Sequence, residues 1–266
     1  LLPGEALFAI QGENRDGHDF DEAALQAGAG LAVVAKGKQA AMPKGAPLLI
    51  VPEVLAALND LAGASRARSD AKIVAVTGSV GKTGTKDALR LVLGRQGATH
   101  ASVASYNNQW GVPLSLARMP RDTAYGVFEI GMNHAGEITP LTRLVRPHVA
   151  IVTAIAPVHL EFFGSLEAIA DAKAEIFAGV APGGTAVLNR DDAQFSRLGA
   201  AARTAGVVRI VSFGEHADAD ARLLKVSLQA ETSTVVARIV GQDVTYKLGA
   251  RGRHVVANSL AVPRPR

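Results

Sequence analysis

The sequence predicts an α/β chain in two parts: a small N-terminal α/β domain over 1–64, then a parallel-sheet domain over 71–266 built around a phosphate loop. Three observations predict it. Continuous apolar runs at Ile73–Val76, Val127–Ile130, Val149–Ile155, Ala186–Leu188 and Val208–Val211 recur along the second part, with amphipathic stretches such as Lys86–Leu93 and Leu166–Val180 among them. That is the pattern of parallel strands covered on both faces. The run Thr77-Gly78-Ser79-Val80-Gly81-Lys82-Thr83 stands at the first strand-to-helix junction. Finally, Gly63-Ala64-Ser65-Arg66-Ala67-Arg68-Ser69-Asp70 is small, polar and without evident periodicity, and reads as a linker between the parts.

In the first part, Leu7–Ile10 and Leu31–Val34 read as short buried strands. A helix over Asp21–Ala27 lies between them, with Ala23, Ala24 and Ala27 at helical spacing. A third strand at Leu48–Val51 and a helix over Glu53–Leu61 complete it. Towards the end of the second part the period changes to two. Ser233–Val240, a Gly241-Gln242 turn and Asp243–Leu248 predict an antiparallel hairpin. A last helix starts near His254 and is stopped by Pro263.

Composition narrows the function. The 266 residues carry 28 Lys and Arg against 24 Asp and Glu, a formal charge of +4, and 48% are apolar. This is ample for a packed core and wrong for a disordered chain. Aromatics at 5% leave the core to Ala, Val, Leu and Ile. The absence of cysteine excludes thiolate metal sites and thiol nucleophiles, and gives no sign of an oxidising compartment. No apolar run approaches a membrane span and no leader-like segment opens the sequence, so a cytoplasmic protein without membrane insertion is expected. A charge of +4 with no basic block gives little reason to expect nucleic acid and suits anionic small substrates.

The chemistry concentrates at the carboxyl ends of the predicted strands, where open parallel sheets bind ligands. Glycines in the Thr77–Thr83 run let successive amides face phosphate oxygens, and the following helix adds its N-terminal dipole. In such a loop Lys82 reaches the β/γ-phosphates and Thr83 holds Mg²⁺. The usual pattern has a glycine five residues before Gly81, where Val76 stands, so the motif is a shortened G-x-x-G-K-T. The alternative is a Gly-rich turn that merely starts a helix.

Glu129, inside an apolar strand, is costly unless paired or bound to a metal. His159, after Ala156-Pro157-Val158, could complete an oxygen-rich Mg²⁺ shell or be a structural histidine. Asn107 and Asn108, in Ser105-Tyr106-Asn107-Asn108-Gln109-Trp110-Gly111, lie near the same edge or simply cap a turn. Asp191 could be the N-cap of the next helix. Lys173 is either a solvated helix lysine or a neutral buried amine that takes up CO₂ as a carbamate and becomes an anionic metal ligand. The other histidines sit in no catalytic pattern.

Together these segments resemble the Mur ligase family. The N-terminal Pro3–Phe20 run is similar to that family's uridine-nucleotide domain. The motifs GSVGKT, YNNQWGVP, FEIGMNHAGEI, HLEFFGS, AKAEIF and LNRDD follow in the family order. Within the family the likeness is greatest to the ligases that join D-alanyl-D-alanine to UDP-N-acetylmuramoyl-tripeptide. The resemblance implies a monomeric, ATP- and Mg²⁺-dependent amide ligase of peptidoglycan synthesis, acting through an acyl phosphate, with those two molecules as substrates. It implies that Thr77, Gly78, Ser79, Val80, Gly81, Lys82 and Thr83 cradle the nucleotide phosphates. Asn258 would lie beside the adenine and Asn108 near the nucleotide. Thr83 and Glu129 would hold one Mg²⁺, and His159 and a carbamylated Lys173 a second, with Lys82, Lys173 and His159 serving catalysis.

The sequence departs from the family pattern at Val255, where asparagine usually follows the histidine. The resemblance also implies an Asp-Ser-Arg type segment ahead of Leu1 and a C-terminal Rossmann-like domain beyond Arg266, so a truncated chain is expected. The rival readings are a sister ligase adding the third peptide residue, folylpolyglutamate synthetase (which the Gly12–Phe20 run disfavours), a non-catalytic nucleotide-binding remnant, and an ordinary P-loop kinase or GTPase.

Overall fold

A computed structural model of the chain describes residues 1–39, 45–158 and 160–262. They form two compact units, Leu1–Ala64 and Ser65–Arg266.

In the first unit β1 (Ala6–Phe8), β2 (Leu31–Ala35) and β3 (Leu48–Val51) make a parallel sheet in that order, with α1 (Asp21–Gln26) on the crossover and α2 (Val54–Ala67) following. Ala9, Ala32 and Val34 form its core, with Leu25 and Leu48 packed against them. His18 is a structural histidine: the Ala35 N–H donates to its Nε2 at 3.0 Å and its Nδ1 pairs with Asp16 at 2.5 Å. Hydrogen bonds from the His18 ring and the His18 backbone N–H, joined by one from Lys38 at 3.0 Å, hold the Asp16 carboxyl well below the usual carboxylate range.

Asp21 is the opposite case. It is fully buried, neither carboxylate oxygen has a partner among the described residues, and desolvation raises its pKa. A raised carboxyl favours folding below its unfolded pKa, and that contribution is lost as pH rises through the folded pKa. Asp21→Asn is therefore expected to be more stable than the parent at pH 8, by ~1–3 kcal/mol for an unpartnered buried group. The difference should shrink towards zero near pH 4; thermal unfolding at both pH values checks this.

The stretch expected to be a linker is mostly helix, since α2 runs on to Ala67. Its buried positions Leu58, Ala62, Ser65 and Arg66 keep a helical spacing that small and charged residues disguise. Within the second unit, Arg66 donates from Nε to Val145 O at 2.8 Å, from Nη1 to Ser69 O at 3.1 Å and from Nη2 to Arg146 O at 3.1 Å. The guanidinium thus satisfies carbonyls at the end of α5 (Ile138–Val145) that the helix leaves unpaired.

The second unit is a nine-stranded sheet. Its strands are β4 (Lys72–Thr77), β5 (Thr99–Ala101), β6 (Tyr125–Glu129), β7 (Val149–Val152), β8 (Thr185–Asn189), β9 (Arg209–Gly214), β10 (Ala221–Leu228), β11 (Ser233–Ile239) and β12 (Gln242–Leu248). The spatial order is β12-β11-β10-β9-β8-β7-β4-β6-β5, antiparallel among β10, β11 and β12 and parallel elsewhere. From β4 the chain builds β5 and β6 on one side and then crosses to β7 on the other. The order therefore reverses at β4, and a crevice opens at its carboxyl end. The helices α3 (Lys82–Leu93), α4 (Gly111–Ala117), α5, α6 (Leu160–Phe163), α7 (Leu166–Ala174), α8 (Phe195–Thr204) and α9 (Arg253–Ser259) accompany the sheet. Val76, Leu89, Val127, Ile151, Val187, Phe213, Val235 and Val256 share one core.

Three expectations need correction. The strand expected over Val149–Ile155 ends at Val152: past the Thr153 N–H, which still bonds Thr77 O at the end of β4, Ala154 O accepts from Ser79 N of the phosphate loop and Ile155 N donates to the Asp192 side chain. The helix expected over Leu166–Val180 gives way to a 3-10 turn at Glu175–Gly179. The hairpin turn is Val240-Gly241, not Gly241-Gln242: Ile239 faces Gln242, and both turn residues have positive φ, +49° and +82°. A two-residue turn of this hand wants glycine second, which draws Gln242 into the strand.

Candidate nucleotide site

The loop after β4 is shaped by two glycines in conformations L-residues rarely adopt: Gly78 with φ +140° and Gly81 with φ +87°. A Cβ on Gly78 would run into the Thr153 hydroxyl, and one on Gly81 into the Asn258 side-chain amide. The loop is stitched to the segment after β7. Ser79 donates from its backbone N–H to Ala154 O at 2.7 Å and from its hydroxyl to Ala156 O at 3.1 Å, while Thr153 Oγ1 donates to Val80 O at 2.6 Å. Helix α3 starts at Lys82, so its free N–H groups and positive dipole end open on the loop.

Charged and polar groups gather around this turn. Lys82 Nζ donates to Gly78 O at 2.8 Å; burial lowers its pKa, and the nearby Glu129 carboxylate opposes that shift. Glu129, at the end of β6, is 1% exposed. Its Oε2 accepts from Thr83 Oγ1 at 2.9 Å and its Oε1 from Asn107 Nδ2 at 2.7 Å, which answers the cost of burying a carboxylate in an apolar strand. Lys173, on α7, is 4% exposed and lines the same cleft as Lys82. Burial, and secondarily the charge of Lys82, pushes its pKa down to about 7. An amine in that state is neutral and nucleophilic over much of the physiological range.

The predicted residues do not all share one surface. Gly78, Ser79, Lys82, Asn107, Asn108 and Lys173 line a cleft of about 240 Å³, together with Asn133 and Glu137. Thr83 and Glu129 stand paired behind Asn107. Val80 is exposed on the loop, Thr77 is buried beneath it with its hydroxyl unpartnered among the described residues, and Asn258 abuts Gly81. His159 lies outside the described residues. Asn108 also caps a turn, its Oδ1 accepting from Trp110 N at 3.2 Å and Gly111 N at 2.9 Å at the start of α4. Asp191 is not the N-cap of α8. It accepts from the backbone of Glu215 and His216, and Asp192 takes the Gln194 N–H ahead of the helix at 2.9 Å.

Sequence reading missed Thr153, Lys86 and Glu175. Thr153 follows an apolar strand, a weak signal. Glu175 accepts from Gly136 N at 2.5 Å and from Thr139 N and Oγ1 at 3.0 Å, serving the start of α5 where Glu137 supplies no side-chain cap.

These residues fit a nucleotide with Mg²⁺. The glycine positions leave room that a Cβ would fill, and Thr83 with Glu129 forms an all-oxygen pair of the kind Mg²⁺ prefers. Among the described residues no group of three or more His, Asp or Glu surrounds a single point, so such an ion would complete its shell with phosphate oxygens and water, as Mg²⁺ commonly does.

Residues 76–263 match the Mur ligase middle domain. The chain belongs to the Mur ligase family. All the site residues predicted from sequence, Thr77 to Asn258, fall inside that match. Among curated relatives of this Mur ligase chain, the UDP-N-acetylmuramoyl-tripeptide–D-alanyl-D-alanine ligase of Rickettsia prowazekii (strain Madrid E) is 38% identical over 83% of the chain and 49% of that protein. Its Escherichia coli (strain K12) counterpart is 35% identical over 98% of the chain and 56% of that protein. The crystal structure of the MurF ligase from Thermotoga maritima in complex with ADP superposes with a TM-score of 0.83 at 25% identity, over 98% of this chain and 59% of that one. The chain thus spans about half the length of the curated relatives it matches. Among the described residues no helix is long and apolar enough to cross a membrane.

Proposed function

We propose that this chain carries the nucleotide site of an ATP-dependent amide ligase that joins D-alanyl-D-alanine to UDP-N-acetylmuramoyl-tripeptide in peptidoglycan synthesis. The observation that carries the reading is the placement of Lys82 and Lys173 on one small cleft, beside a loop whose next residue, Thr83, is paired with Glu129. The terminal carboxylate of the tripeptide takes the γ-phosphoryl group of ATP to give an acyl phosphate and ADP. The amine of D-alanyl-D-alanine then attacks the acyl carbon, and inorganic phosphate leaves with the former carboxylate oxygen.

In such a transfer the protein chiefly positions groups and neutralises charge. The amides of Gly78–Thr83 hold phosphate oxygens, and the Lys82 ammonium turns from Gly78 O to the terminal phosphate. Thr83 and Glu129 would hold one Mg²⁺, and His159 with carbamylated Lys173 a second; when bound, the metal neutralises charge on the phosphoryl and carboxylate oxygens. The neutral Lys173 amine adds to CO₂, forming an N–C bond and releasing one proton, which turns a cation-forming group into an anionic oxygen donor. Asn258 would lie beside the adenine, with Asn107 and Asn108 near the nucleotide and the acceptor substrate. The enzyme acts in the cytoplasm as a monomer, with no nucleic-acid partner.

The test is phosphate release from ATP with Mg²⁺, omitting each acceptor in turn. In a chain of the relatives' full length, release that needs both UDP-N-acetylmuramoyl-tripeptide and D-alanyl-D-alanine is the expected result. Release indifferent to both, or supported by a free amino acid with the corresponding dipeptide in place of the tripeptide, overturns it, the latter in favour of a sister ligase.

A further inference from the structure

Helix α3 buries Thr85, Lys86, Leu89 and Leu93. Lys86 is the outlier on that face, a cation only 2% exposed where an aliphatic side chain would pack at no electrostatic cost. Its ammonium donates to Ser102 O at 3.0 Å and Ala104 O at 2.8 Å, and its nearest anion is the exposed Asp87 at 3.5 Å. Both carbonyls belong to the segment that leaves β5. Ala104 there has φ +47°, a left-handed conformation that a non-glycine residue keeps only where its surroundings hold it.

The same segment ends at Asn107. The Asn107 carbonyl accepts from Gly131 N at 2.8 Å and its amide donates to Glu129 Oε1 at 2.7 Å. A Cβ on Gly131 would press on the Asn107 side chain, so the fit is close. Lys86 lies one helical turn beyond Thr83, the residue that donates to the other oxygen of the same carboxylate. One helix thus reaches Glu129 twice, directly through Thr83 and indirectly through the loop that Lys86 holds.

We propose that Lys86 is a positioning residue: its ammonium pins the Ser102–Asn107 loop so that Asn107 fixes the orientation of the Glu129 carboxylate towards a divalent cation. This rests on the reading of Thr83 and Glu129 as a metal-holding pair. Lys86 itself touches neither metal nor nucleotide.

The variants are Lys86→Met, which keeps the stem and removes the charge, and Lys86→Arg, which keeps the donors. ADP affinity is measured with Mn²⁺ and with EDTA, and amide hydrogen exchange is followed over 102–111. Lys86→Met is expected to lose roughly tenfold in affinity for ADP with Mn²⁺, the scale seen when a metal ligand loses its supporting partner. Affinity for metal-free ADP should stay within about twofold, a split that loss of general stability would not produce. Exchange over 102–111 should quicken while β4 stays protected, and Lys86→Arg should restore most of both. A parallel fall of both affinities, or unchanged exchange over 102–111, overturns the proposal. If the parent chain itself gains nothing from Mn²⁺, the metal pair is misassigned and the proposal falls with it. A parent that gains from Mn²⁺ and a Lys86→Met that gains equally sink the proposal alone. Should Lys86→Met fail to fold, Lys86→Gln is read in the same way.

Discussion

Gly81→Ala is expected to weaken ADP binding by about 100-fold. Holding an L-residue in the left-handed conformation at φ +87° costs ~1–2 kcal/mol, and the new Cβ meets the Asn258 amide. Pushing a packed neighbour aside adds ~1–3 kcal/mol. A loss near 3 kcal/mol corresponds to roughly two decades of affinity if the loop relieves it by abandoning its binding geometry. Gly84→Ala is the control. Gly84 lies in α3 with open space where its Cβ would go, and there alanine should raise stability by ~0.5–1 kcal/mol through helix propensity alone. Calorimetric titration of both variants with ADP checks the contrast, and Gly81→Ala binding like the parent would contradict the cradle described for this loop.

Lys173→Met is expected to remove a covalent carbamate and to lower substrate-dependent phosphate release by about 100-fold or more, the scale of removing one charge-stabilising group from a transition state. The chemistry requires a neutral amine. With the pKa of Lys173 at about 7, the reactive form grows as pH rises through 7 and falls away below it. An ordinary lysine near 10.4 would scarcely react at pH 8. ¹³C NMR with ¹³C-bicarbonate should therefore show a protein carbamate signal that strengthens from pH 6 to pH 8 in the parent and is missing from Lys173→Met. A parent without that signal, together with a Met variant of undiminished activity, would remove Lys173 from the metal site.

What was legible in the sequence follows from how local each signal is. The parallel runs at Ile73–Val76 and Ala186–Leu188 stood out because burial leaves an uninterrupted apolar record, and Leu48–Val51 is as apolar although its Leu49 and Ile50 are half exposed. The phosphate loop was readable because its glycines mark positive-φ backbone at a strand-to-helix junction, while the tertiary neighbours that also require them, Thr153 and Asn258, were not. The end of α2 was not, since its buried stripe is written in alanine, serine and an arginine whose partners lie about 80 residues away. Asp191 and Asp192 look alike in sequence, and only the fold decides which one serves the helix.

The site divides along the same line. Glu129 was conspicuous as a carboxylate in an apolar strand, but its two donors, Thr83 and Asn107, come from separate segments that only the sheet brings together. Lys173 sits among alanines and reads as a solvated helix lysine until tertiary packing buries it. Lys86 did carry a signal that went unread: it shares the helical stripe of Leu89 and Leu93, where a charge has to be explained.

The central claim is that this loop, Lys82 and the Thr83–Glu129 pair form a Mg²⁺-nucleotide site. It is tested most directly by calorimetric titration of the chain with ADP, with and without Mg²⁺, alongside Lys82→Met and Glu129→Gln. The expected result is saturable binding of a single ADP per chain that Mg²⁺ tightens, loss of that tightening in Glu129→Gln, and loss of binding altogether in Lys82→Met. Absence of saturable binding, or binding that Lys82→Met leaves unchanged, would contradict it.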